Sequence, residues 1–133
     1  MKHLKVGRKF SRIKKQREAL LRIMLGDLLL KGKMTTTLAK AKELKMIGEK
    51  MISRIKDPQK IRLVKSKLPR NIDVKKIREI AKKTASRRSG YLRITKKGPR
   101  RSDGAPLAII EIIEDAAKEE KSAGNKTASN KKQ

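Results

Sequence analysis

Residues 89–113, SGYLRITKKGPRRSDGAPLAIIEII, decide what kind of fold this chain can adopt. Tyr91-Leu92-Arg93-Ile94-Thr95 alternates strictly, the period of a strand with one buried face. That pattern turns Leu92 and Ile94 inward and leaves Tyr91, Arg93 and Thr95 outward, with Tyr91 partly exposed. Lys97 to Ala105 is a Gly- and Pro-rich turn region. Pro106 to Ile113 is a second β-rich segment, predicted to pair antiparallel with the first.

Upstream of this hairpin the period is helical. Leu21, Met24, Leu25 and Leu28 recur at i, i+3, i+4 and i+7, predicting a helix over about 12–31 that stops at Gly32. Leu20, Ile23, Leu29 and Leu30 widen its apolar surface, so this helix should be buried on more than one side. Met34-Thr35-Thr36-Thr37 is β-branched and suits a brief strand. Leu44, Ile47, Gly48, Met51 and Ile55 then carry a second helix to about Lys56. Asp57-Pro58 restarts the chain as N-cap and first helical residue of a short helix near 58–67. Asp73 is placed to cap a fourth, with Val74, Ile77 and Ala81 on one face and Ile80 beside them. Helices followed by a hairpin make the expected class α+β.

The charge is large and uneven. The chain carries 39 Lys and Arg against 13 Asp and Glu, a net charge of +26. Residues 1–22 hold nine cations and one acid; residues 82–101 hold nine cations and none. Such self-repulsion makes physical sense when a polyanion neutralises it, and nucleic acid is the densest one in a cell. Residues 1–11 (MKHLKVGRKFS) are expected to form a basic extended arm that orders along phosphates. Its candidate contacts are Lys2, His3, Lys5, Arg8, Lys9 and Phe10, continued by Arg12, Arg17 and Arg22. The late cluster adds Arg87, Arg88, Arg93, Arg100 and Arg101, and the hydroxyl of Tyr91. Two aromatics, Phe10 and Tyr91, cannot build a base-stacking platform, so recognition should be of folded RNA shape and backbone.

Other classes find little support. The single histidine, His3, lies in the arm, where a positioned general base is implausible. No glycine pattern matches a phosphate loop or dinucleotide fingerprint, and no metal-ligand spacing is present. Zero cysteines exclude disulfides and thiolate metal sites. No window holds about 18 uninterrupted apolar residues, so no membrane span is expected, nor is a secretory signal peptide. The expectation is a non-enzyme with no cofactor, no metal, no small-molecule substrate and no membrane. The alternative class is a nucleoid-associated DNA-binding protein, against which stands the lack of a dimerisation heptad, recognition-helix motif or minor-groove wedge.

Three blocks carry a resemblance. The first is Lys2-His3-Leu4-Lys5-Val6-Gly7-Arg8-Lys9-Phe10-Ser11-Arg12 with Gln16-Arg17-Glu18-Ala19-Leu20-Leu21-Arg22. The second is Thr36-Thr37-Leu38-Ala39-Lys40-Ala41-Lys42-Glu43-Leu44. The third is Ser89-Gly90-Tyr91-Leu92-Arg93-Ile94, then Gly98 and Asp103-Gly104-Ala105-Pro106-Leu107-Ala108-Ile109-Ile110-Glu111. In this order and spacing they resemble the bacterial large-subunit ribosomal protein seventeen family over roughly residues 2–114. The resemblance implies a cytoplasmic, structural component of the large ribosomal subunit. Its partners would be large-subunit rRNA and neighbouring large-subunit ribosomal proteins. It also implies about four helices packed on a small three-stranded mixed sheet, with the Met34–Thr36 segment joining the late hairpin. The second block brings Thr36, Lys40 and Lys42 into the candidate RNA contacts. The organisation expected is thus an arm (1–11), one RNA-binding domain (12–115) and a disordered tail (116–133), Ser- and Lys-rich and poor in apolar residues.

Overall fold

A computed structural model describes His3 and residues 7–114. Lys2, Lys5 and the 116–133 tail lie outside the described residues. Helix α1 (Lys14–Lys31) leads into strand β1 (Lys33–Thr37), which runs directly into α2 (Leu38–Ile55). A 3₁₀ turn at Pro58–Lys60 opens α3 (Ile61–Lys67), and α4 (Val74–Lys83) precedes the hairpin of β2 (Leu92–Pro99) and β3 (Pro106–Ile112).

Local chemistry sets most of these limits. Gly32 ends α1 in the left-handed region at φ 76°, and its N–H donates to Leu28 O at 2.8 Å. Asp57 accepts from Gln59 N at 3.1 Å, so the Asp-Pro restart is made as expected. The nearby Lys60 ammonium holds the Asp57 carboxyl below its ordinary range, with the Gln59 bond helping. Asp73 stands at the N-cap of α4, but its side chain makes no capping bond.

The sheet order is β1-β3-β2, and both ladders are antiparallel. The mixed sheet expected is therefore an antiparallel one. β1 and β2 do run in the same direction, but β3 lies between them, so no parallel ladder forms. β2 also reaches further than its alternating stretch, because a bulge between Lys96 and Gly98 keeps pairing going to Pro99↔Pro106.

One face of the sheet receives the helices. Met34, Ile110 and Ile94 share a row on that face, and Leu92 pairs with Ile112. Leu25, Leu28 and Leu29 of α1, Leu44, Ile52 and Ile55 of α2, Val64, Leu68 and Ile72 around α3, and Ile77 of α4 complete an aliphatic core. Two sequence expectations fail at its edge. Ile23 is 58% exposed, because α1 buries one broad stripe and not its whole girth. Tyr91 is 3% exposed and packs inward, because β2 begins at Leu92 and strand alternation does not extend to Tyr91.

α1 and the Leu68–Ile72 connection approach so closely that only glycine fits at position 26. A β-carbon there would lie 2.5 Å from Pro69 Cγ and 3.0 Å from Cδ, atoms of a ring that cannot swing aside. Gly26→Ala adds about 1 kcal/mol of helix propensity but overpacks by an amount worth about 1–3 kcal/mol. The expected outcome is a lower melting temperature. A higher one would show that α1 and Pro69 can separate freely.

Candidate nucleic-acid interface

Many of the candidate basic side chains stand at the two ends of β2. At one end lies the hairpin turn. Arg100 N donates to Ala105 O at 2.9 Å, Gly104 N to Arg100 O at 2.8 Å, and Arg100 Nε to Asp103 Oδ1 at 2.8 Å. Asp103 Oδ1 also accepts from Ala105 N at 3.2 Å. The carboxylate fixes the turn and orients Arg100, while Lys96, Lys97 and Arg101 stand exposed around it.

The Arg100 hydrogen bond, then that from Ala105, lowers the Asp103 carboxyl from its ordinary 3.8 to about 2. A depressed carboxyl stabilises the fold fully above its unfolded value and loses that contribution as pH falls through the folded one. The turn should therefore loosen between about pH 4 and pH 2. An NMR titration of the Asp103 carboxyl should show a midpoint near 2. A midpoint near 4 would mean that the Arg100 pair is not formed in solution.

The row beside this turn is Thr37↔Leu107↔Gly98, and α2 starts at Leu38. Lys40, half-buried, and Lys42, exposed, thus belong to the same end of the molecule. So does Arg8, whose Nε lies 3.9 Å from Glu43 Oε1. The chain does not keep the extended course that the sequence suggested through Ser11. Phe10 and Ser11 adopt φ of 53° and 50°, and Arg12 donates from its backbone to Lys9 O (3.2 Å) and from Nη1 to Phe10 O (3.0 Å). These local bonds turn the chain before α1. Phe10 is half-buried, His3 and Lys9 are exposed, and Arg12 is exposed at the entrance to α1.

At the other end of β2 is the 84–90 connection, about 25 Å away along an eight-residue strand. Lys56 holds it from beneath. Its Nζ donates to Arg87 O, reaches Ala85 O at 3.5 Å, and lies 4.5 Å from the centre of the Tyr91 ring. Tyr91 Oη donates to Arg88 O at 2.8 Å and lies 3.3 Å from Arg87 O. Glu49 accepts from Tyr91 N at 3.1 Å and Leu92 N at 3.0 Å. The loop is thereby fixed with Arg88 exposed and Arg87 half-buried. Tyr91→Phe removes one hydrogen bond of about 1 kcal/mol and no charge. Amide exchange in residues 85–90 should speed up about fivefold. Unchanged exchange would show that the hydroxyl does not order the loop.

The remaining candidates divide. Arg93 points from the helix-free sheet face, with Nη1 3.5 Å from Glu111 Oε1. Arg17 is half-buried in α1. Arg22 is committed elsewhere: its Nη2 donates to Leu68 O at 2.6 Å and reaches Ser66 O at 3.3 Å, tying α1 to the end of α3. Thr36 pairs opposite the fully buried Ala108, on the helix-covered face, and Tyr91 is buried. Tyr91 does not reach the surface that the sequence assigned it, whereas Thr36 stays half-buried on an edge strand. Sequence reading missed Lys56, Glu49 and Glu43, whose roles have no local signature. Among the described residues no group of three or more His, Asp or Glu could hold a metal, and no helix is long and apolar enough to cross a membrane.

A family model described as Ribosomal protein L17 matches residues 20–113. The chain is 47% identical over 109 residues to a "Large ribosomal subunit protein bL17" of Thermoanaerobacter sp. (strain X514), covering 80% of this chain and 97% of that one. A protein of the same name from Pelobacter propionicus is 40% identical over 118 residues, covering 86% and 93%. That of Shouchella clausii is 41% identical over 124 residues, covering 85% and 100%.

Proposed function

We propose that this chain, which belongs to the ribosomal protein L17 family, binds and stabilises folded large-subunit rRNA. Membership makes it a structural, non-enzymatic component of the bacterial large ribosomal subunit, in the cytoplasm. The binding mode rests on one observation: exposed cations stand at both ends of β2, each end held by internal hydrogen bonds. Two ordered basic ends about 25 Å apart suit the phosphate spacing of a folded RNA surface better than a single flexible tail does.

Within this reading Arg8, Lys9, Arg12, Lys40, Lys42, Arg88, Arg93, Arg100 and Arg101 contact rRNA directly, with His3 and Phe10 beside them. Lys2 and Lys5 extend that footprint. Residues 12–115 form the binding domain, and neighbouring large-subunit proteins cover other surfaces. The test is competitive. Purified protein mixed with depleted large subunits, small subunits and duplex DNA should sediment with the large subunits. Preference for DNA would instead support a DNA-packaging role.

A further inference from the structure

The sheet has a second face, and no helix among the described residues covers it. Its central row is Thr35↔Ile109↔Thr95. The row on one side is Lys33↔Glu111↔Arg93, and on the other Thr37↔Leu107↔Gly98. Thr35 and Thr95 are exposed, and neither hydroxyl has a hydrogen-bond partner among the described residues. At the usual strand spacing the two hydroxyls stand about 10 Å apart across the sheet. None of the strand residues in these rows is aromatic.

We infer that this bare face lies against the minor groove of an RNA duplex, with Thr35 and Thr95 hydrogen-bonding ribose 2′-hydroxyls. The assignment rests on the rRNA-binding reading above and specifies which RNA feature that binding uses. Charge selects an anionic partner. The one acid among the strand residues of these rows, Glu111, is paired with Arg93, leaving Lys33 at one margin and the cations of the hairpin turn beyond the other. Shape selects a duplex. A flat surface without aromatics cannot stack unpaired bases, whereas the minor groove of A-form RNA is wide, shallow and lined with 2′-hydroxyls. Size argues against a protein. Three strands by three rows cover about 10 Å by 14 Å, far below the ~800 Å² per partner of a stable protein interface. Its aliphatic side chains, Leu107 and Ile109, are already half-buried. Hydroxyls flanking one aliphatic row match a surface of alternating ribose hydroxyls and sugar carbons.

The test uses the full chain and two duplexes of about 16 base pairs, roughly what a double-stranded RNA module spans. One is RNA; the other is the same sequence with 2′-O-methyl ribose, which keeps the A-form and blocks the hydroxyls. Thr35→Val with Thr95→Val removes both hydroxyls while keeping β-branched strand residues, so the fold should persist. The double variant should bind the RNA duplex about tenfold more weakly, the loss expected for two modest hydrogen bonds. On the 2′-O-methyl duplex it should lose less than about twofold, because the donor is gone and the methyl groups already hold the threonines off the ribose oxygens. Equal loss on both duplexes, or none on either, overturns the assignment. So does concentration-dependent self-association abolished by Ile109→Asp, which would make the face a protein contact. If the double variant keeps its duplex affinity while the chain still sediments with large subunits, the sheet-face assignment fails and rRNA binding stands. If the parent chain binds neither, both fail.

Discussion

Raising salt from 50 to 200 mM should weaken the affinity of the purified protein for large-subunit rRNA by a factor of about ten thousand or more. Phosphates can engage only those cations that the fold does not use itself. Eighteen basic side chains lie in residues 1–22 and 82–101. Arg22 is spent on the end of α3 and Lys83 on Glu114 at 2.7 Å, while Arg100 shares its charge with Asp103. Arg8 and Arg93 share their charge with Glu43 and Glu111. If roughly ten cations then meet phosphates, the log–log salt slope lies at about −7 to −9. A slope shallower than about −3 would mean that only one end of the sheet touches RNA at a time.

Replacing Glu49 with alanine should lower stability by about 3 kcal/mol, or roughly 10–20 °C in melting temperature. Glu49 is half-buried on α2, and each of its oxygens accepts from a backbone N–H, Tyr91 at one and Leu92 at the other. Hydrogen bonds to a charged acceptor are the stronger kind. Their loss leaves two donors unsatisfied where the chain enters β2, with Leu92 2% exposed beneath them. Glu49→Gln separates charge from geometry. Its amide offers one acceptor and presents an N–H to the other donor, so it should recover about half the loss at most. A Glu49→Ala protein that melts within about 3 °C of the parent would show that water replaces the carboxylate at no cost.

Glu49 also marks where sequence reading stopped. Elements whose signal is local were legible. The α1 stripe, the Asp57-Pro58 restart and the β2–β3 hairpin were all readable, because periodicity and turn chemistry act within a few residues. The family resemblance, not periodicity, placed the Met34–Thr36 strand in the sheet. Burial of Tyr91 was misread for a related reason: alternation describes residues inside a strand and cannot say which residue the strand begins on.

Local periodicity, turn chemistry and composition specify the helices, the hairpin and the cationic excess that calls for a polyanion. They do not determine where those cations go. Arg22 reaches a carbonyl 46 positions away at Leu68, and Lys56 one 29 positions away at Ala85. From composition both read as free surface charge; in the fold each ties distant elements together. Likewise Arg88 and Arg101, close in sequence, stand at opposite ends of β2, while Arg8 joins the hairpin end through Glu43. Long, flexible cations accept whichever carbonyl or carboxylate the packing brings near. Only the packed helices and sheet fixed which charges hold the fold and which remain to meet RNA.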